Sequence, residues 1–175
     1  ETRVCVPSNF TCETAPESDD ERIVIFNELQ ADPASGEAGD LNGDGQRDAR
    51  DDEFIELTNA GDSAVDISGW KLSDNITVRY MFPADTVLEP GEYLVVFGGG
   101  EPAEYSGLPE DATVLSAESG LYLNNRGDEV TLIDHRDEEV DSASYGSEGG
   151  RDAALVRDGE TLTPAETATP GAANE

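Results

Sequence analysis

The sequence predicts an all-β fold, an antiparallel sandwich or barrel of about nine strands. Three observations carry this. Short runs rich in β-branched and aromatic residues recur along the chain, Gly, Pro, Asn or Asp bounds each of them, and no stretch sustains a helical period. At 175 residues and 36% apolar composition, the chain is long enough to bury one core.

Residues 1–21 read as a separate N-terminal arm. "TRVCV" is β-capable and "ETAPESDDE" is linker. Between them Cys5 and Cys12 are placed to close a loop of eight residues, a disulfide worth roughly 2.5 kcal/mol of local restraint. Such a bridge implies an oxidising compartment. Residues 22–175 form the domain proper. Its runs are "RIVIFNEL" (22–29), "EFIELTN" (53–59), "AVDISGWKL" (64–72), "VRYMF" (78–82) and "EYLVVFG" (92–98), then "ATVLS" (112–116), "GLYLNN" (120–125), "DEVTLID" (128–134) and "EEVDSASY" (138–145). "NAGD", "EPGE", "NNRGD" and "DHRDEE" supply turns between them, because Gly and Asn accept positive φ and Pro presets a bend. "YLVVF" is apolar without alternation and suits a central strand buried on both faces.

The formal charge of −30 sets the partners. Forty Asp and Glu face ten basic residues, of which Lys71 is the single lysine. Nucleic acid binding needs Lys and Arg to neutralise phosphates, and no basic stripe supplies them. Salt or multivalent cations that screen the self-repulsion stabilise such a chain. No apolar run approaches the ~20 residues of a membrane span, so direct membrane insertion is not expected. With no signal peptide in front of Glu1, the chain reads as a mature or trimmed product. Asn9 in "NFT" and Asn75 in "NIT" head glycosylation sequons, in keeping with a place outside the cell or on its surface.

One acidic insertion, 31–52, carries a metal-binding pattern. In "DLNGDGQRDARD", Asp40, Asn42, Asp44, Gly45, Asp48 and Asp51 fill positions one, three, five, six, nine and twelve of a calcium loop. Calcium takes six to eight hard oxygens, and this run offers side chains at one, three and five, the Gln46 carbonyl at seven and a carboxylate at twelve. The flanking strands bring Glu28 and Glu53 near as further candidate ligands. The spacing resembles the loop of cellulosomal dockerins, although a single copy followed by a strand excludes the dockerin fold. Catalysis finds little footing. His135 is the one histidine and lies in the "DHRDEE" turn, so neither a Ser–His–Asp nor a Cys–His arrangement assembles elsewhere. "FGGGE" (97–101) lacks the Lys and helix of a phosphate loop and reads as a flexible strand end.

Taken together, "IVIFNELQADP", "DEFIELTNAGDSAVDISGWKLSD", "LEPGEYLVVF", "GDEVTLIDHRDEEVDSASY" and "RDGETLTPAETATPGAAN" resemble the lamin tail domain in its prokaryotic, extracellular form, over roughly 21–174. The resemblance implies an immunoglobulin-like β-sandwich with Trp70 in the core and with Glu28, Phe54 and Glu56 on adjacent early strands. It also implies a non-enzymatic module, found alone in surface proteins or appended to secreted nucleases and phosphatases. The acidic insertion and the Cys-containing arm depart from the family pattern.

These readings converge on an extracellular structural or interaction module stabilised by Ca2+. The arm is placed to add a strand to an edge of its own domain or of a neighbour; the expected partners are further copies of the chain, joined by such strand addition into a filament or layer, and cell-surface or polysaccharide ligands. The alternative is an accessory binding domain of a secreted hydrolase.

Overall fold

The computed structural model describes residues 3–5, 12–14, 23–159 and 161–174. The arm forms β1 (Arg3–Cys5) and β2 (Cys12–Thr14), an antiparallel two-stranded sheet hydrogen-bonded to no other described strand. Its backbone register sets Cys5 opposite Cys12. The side chains of the two cysteines, and Asn9, lie outside the described residues.

The domain is an immunoglobulin-like β-sandwich. In chain order come β3 (Val24–Gln30), β4 (Phe54–Asn59), β5 (Val65–Asp66), β6 (Lys71–Ser73), β7 (Val78–Met81), β8 (Val87–Leu88) and β9 (Tyr93–Phe97). They are followed by β10 (Thr113–Ser116), β11 (Asp128–Ile133), β12 (Glu139–Tyr145), β13 (Leu155–Asp158) and β14 (Thr161–Pro164). One sheet has the order β10-β9-β4-β3-β13-β14 and the other β12-β11-β6-β7, while β5 and β8 pair separately. β10 joins β9 in parallel, after a crossover through 98–112 that passes over the acidic insertion.

Alternation on each strand fills the space between the sheets. Phe26, Leu29, Ile55, Leu57, Leu94 and Val96 of the first sheet meet Leu72, Val130 and Leu132 of the second, with Trp70 9% exposed among them. The opposite parity of β4 and β9 builds a second cluster, Phe54, Val95 and Phe97, on the outer face of the larger sheet. "YLVVF" is therefore buried on both faces, as its unbroken apolarity predicts. Burying a Phe or Val here contributes roughly 1.5–3 kcal/mol, provided something covers it. The cover is Leu41 from the insertion, Tyr105 and Leu108 from the crossover, and Ala168 from the C-terminal segment.

Two expectations need correcting, and one hairpin was not expected. Residues 120–125 are not a strand: Gly120 and Tyr122 adopt φ of 89° and 57°, and the Leu123 N–H goes to the Glu53 carboxylate at 3.1 Å instead of a neighbouring strand. The apolar Leu121 and Leu123 that suggested a strand are core plugs on an irregular loop. Residues 64–72 are two strands broken at Gly69, whose φ is 73°. The β13–β14 hairpin, which closes one end of the larger sheet, was absent from the strand pattern because its residues alternate too weakly.

The acidic loop and its glycine seat

The insertion enters from the end of β3 and returns at β4, so both its ends are fixed by a paired register. Within it the positive φ of Gly43 (69°) and Gly45 (86°) makes two sharp bends that an L-side chain resists. Asp52 holds the loop together. It is fully buried, its Oδ1 accepts the Leu41 N–H at 2.9 Å and the Asn42 N–H at 3.3 Å, and its Oδ2 accepts the Asp48 N–H at 2.7 Å. Desolvation raises its pKa against the pull of these donors, and Asp40 adds to the rise.

Around this anchor the polar side chains of the loop bond to its own backbone. Asn42 Oδ1 accepts the Asp44 N–H at 3.0 Å and Asp44 Oδ1 accepts the Gln46 N–H at 2.8 Å. Asp40 Oδ2 accepts the Gly45 N–H at 2.9 Å, while its Oδ1 is buried with no hydrogen-bond donor. Asn42 is fully buried and its Nδ2 is likewise without a partner. Burial raises the Asp51 pKa, and the charges of Asp48 and Asp44 raise it further.

The crossover sits directly on this loop. Gly98 donates to the Glu53 carbonyl at 2.8 Å and Gly99 to the Asp51 carbonyl at 3.2 Å. Ser106 donates its N–H to the Asn42 carbonyl at 3.2 Å and its hydroxyl to the Gly43 carbonyl at 2.6 Å. The glycine run is a matter of space. A Cβ on Gly98 would overlap the Arg50 carbonyl, one on Gly99 the Asp51 carboxylate, and one on Gly100 would lie 2.9 Å from Asn42 Nδ2 and 3.3 Å from Asp44 Oδ2. "FGGGE" is thus a packed seat for the acidic loop, not the flexible strand end its composition suggests. The signal was present in three consecutive glycines next to a buried strand, which call for close backbone approach as well as for flexibility.

Other candidate ligands are placed differently. Gln46 and Asp48 are exposed, and Asp48 Oδ1 accepts the Arg50 N–H at 2.8 Å and the Asp51 N–H at 3.3 Å, bonds that hold its pKa down. Glu28 is fully buried with its carboxylate on the Thr169 N–H at 3.1 Å and the Thr169 hydroxyl at 2.9 Å. Its strand partner Glu56 accepts the Asn27 side chain and the Gly171 N–H, each at 2.5 Å. These two acids, on the outer parity of β3 and β4, clamp the C-terminal segment. Burial pushes the Glu56 pKa up to about 8 and raises that of Glu28. Glu53, bonded to the Leu123 backbone, is likewise pushed up to about 8 by burial. Both Glu28 and Glu53 are committed away from the acidic loop, Glu28 to Thr169 and Glu53 to the Leu123 backbone.

Among the described residues, no three His, Cys, Asp or Glu side chains converge as they stand to grip a metal. The pattern in the loop differs from such a cluster, since Asn42 and a backbone carbonyl hold two of its positions. His135 is exposed in the β11–β12 turn, where the Asp134 carboxylate caps the backbone of Arg136 and Glu138. No helix of the described residues is long and apolar enough to cross a membrane.

The fold and this loop define the class: an immunoglobulin-like β-sandwich with an acidic insertion seated against a glycine run. The profile of the Lamin Tail Domain matches residues 17–147, and the chain belongs to that family, whose members are usually non-catalytic modules. No curated protein matches the chain.

Proposed function

We propose that the chain is a non-enzymatic extracellular structural module whose acidic loop binds one calcium ion. Asp40 Oδ1, Asn42 Oδ1, Asp44, the Gln46 carbonyl and Asp51 are the proposed ligands. The observation that carries this is the division of labour in Asp40: one carboxylate oxygen holds the Gly45 turn, and the other is buried without a donor. An anionic oxygen removed from water costs several kcal/mol unless a cation or donor meets it. A hard divalent cation meets it and also relieves the repulsion among Asp44, Asp48 and Asp51.

The ion's role is structural. It holds the insertion in the shape on which the crossover packs, so that Leu41, Tyr105 and Leu108 stay over Phe54, Val95 and Phe97. An affinity on the order of 10⁻⁴–10⁻³ M suits an extracellular module. At a hundredfold excess over Kd the ion adds about 2.7 kcal/mol of stability, which for this chain length raises Tm by about 5–11 °C. Thermal unfolding in chelator and in calcium at that hundredfold excess, about 10–100 mM, tests this. The expected result is that rise for the native chain and none for Asp40→Asn. Equal melting in both conditions for the native chain refutes the reading.

The arm is the proposed contact between copies, since β1 and β2 hydrogen-bond to no other described strand. Deleting residues 1–12 is expected to leave a folded monomer where the full chain assembles. Unchanged assembly in the truncated chain removes that part of the reading.

A further inference from the structure

The hairpin joining β6 to β7 carries Asn75, Ile76 and Thr77 at its tip, and all three are exposed. The turn is secured from below. Asp74, 7% exposed, accepts the Ile76 N–H at 2.8 Å and the Thr77 N–H at 2.7 Å through Oδ1. Its Oδ2 accepts Arg79 Nε–H at 2.8 Å and Nη2–H at 2.6 Å. The tripeptide therefore stands on a rigid support with the Asn75 side chain exposed.

The surface around this tip is out of character for a chain of charge −30. Ile76 (79%), Val78 (45%) and Met81 (57%) are large apolar side chains left exposed on one hairpin. Tyr122, 44% exposed, joins them through Arg79, whose guanidinium lies 4.9 Å from the ring centroid. β7 is also the last strand of its sheet. A free edge flanked by apolar side chains pairs with the next strand it meets unless something covers it, and contiguous apolar patches on soluble chains mark covered or interacting surface.

We infer that Asn75 is an asparagine-linked glycosylation site and that its oligosaccharide covers the β7 edge and the Ile76–Val78–Met81 patch. The inference rests on the extracellular reading, because the acceptor motif is used in secreted chains. The donor is a lipid-phosphate-linked oligosaccharide. Asn75 Nδ2 bonds to C1 of the first sugar, the bond from C1 to the phosphate oxygen breaks, and the lipid phosphate leaves with one amide proton. Geometry favours a sugar over a protein partner here because the acceptor Asn stands at the tip of the very patch that needs cover. The apolar faces of sugar rings lie against Ile76 and Val78 while their hydroxyls keep the edge in water.

The test is to secrete the full chain, behind an added leader, from a host that attaches such glycans, and to map modified asparagines by peptide mass spectrometry. Asn75 is expected to be occupied in most chains, to stay occupied in Thr77→Ser, and to be bare in Thr77→Ala. Enzymatic removal of the sugar from folded protein is expected to raise apolar-dye binding severalfold and to shift monomer toward associated species. The double variant Val78→Thr/Met81→Thr suppresses both effects. A bare Asn75, with a control glycoprotein from the same culture fully modified, overturns the inference. Because secretion is forced, that result is independent of where the chain naturally resides. Occupancy without any change on sugar removal overturns the covering role, as does recovery of a bare chain with a strand-donating protein bound at β7.

Discussion

Replacing Gly100 by alanine separates the seat's two demands on that residue. Gly100 has φ of 86°, a conformation that costs an L-residue roughly 1–2 kcal/mol. Its new Cβ also lies 2.9 Å from Asn42 Nδ2, 3.0 Å from Tyr105 Cε1 and 3.3 Å from Asp44 Oδ2, all tighter than ordinary contact. Asn42 and Asp44 must shift by a few tenths of an ångström, and both are proposed ligands. Gly91 is the control: its φ is 75° and nothing lies within 4 Å of an added Cβ. Gly91→Ala is therefore expected to lose about 1–2 kcal/mol, a Tm fall of roughly 2–8 °C, with calcium affinity unchanged. Gly100→Ala is expected to lose a similar amount in chelator and also to bind calcium about tenfold more weakly. Thermal unfolding and calorimetric titration read the two quantities separately. Native calcium affinity in Gly100→Ala refutes the idea that the glycine run positions the loop.

Two further perturbations probe the frame that carries the site. The folded Glu56 pKa of about 8 lies above its ordinary value of 4.5, so the folded chain holds the extra proton and its contribution to stability is lost as pH rises between those values. Glu56→Gln is expected to flatten the fall of urea-unfolding free energy between pH 4.5 and 8, and an unaltered slope contradicts the assignment. Asp141 accepts the Phe26 N–H at 2.8 Å and Arg157 Nη2–H at 2.5 Å, pinning β12 of one sheet to β3 and β13 of the other. Arg157→Leu is expected to cost about 3–5 kcal/mol in the same assay, and a loss below about 1 kcal/mol would mean the pair is surface-like.

How much of this was readable in the sequence depends on whether the deciding interaction is local. "YLVVF" buried on both faces follows from its unbroken apolarity, which reports burial directly, whereas Trp70 in the core is what the family resemblance implies. The bends of the acidic loop were legible because Gly43 and Gly45 lie within one short polar run. What the sequence hid are pairings across long separations. Among so many carboxylates nothing marks Asp52 as the loop's anchor or Glu28 and Glu56 as clamps on Thr169 and Gly171. Leu121 and Leu123 read as strand residues because apolar alternation cannot distinguish a strand from a loop that plugs a core.

The most direct measurement is a crystal structure grown in calcium, with an anomalous map to locate the ion. The account predicts one site in the 40–51 loop, 2.3–2.6 Å from Asp40 Oδ1, Asn42 Oδ1, an Asp44 oxygen, the Gln46 carbonyl and Asp51. A map with no peak in that loop at saturating calcium, and Asp40 Oδ1 turned out to water, would contradict it.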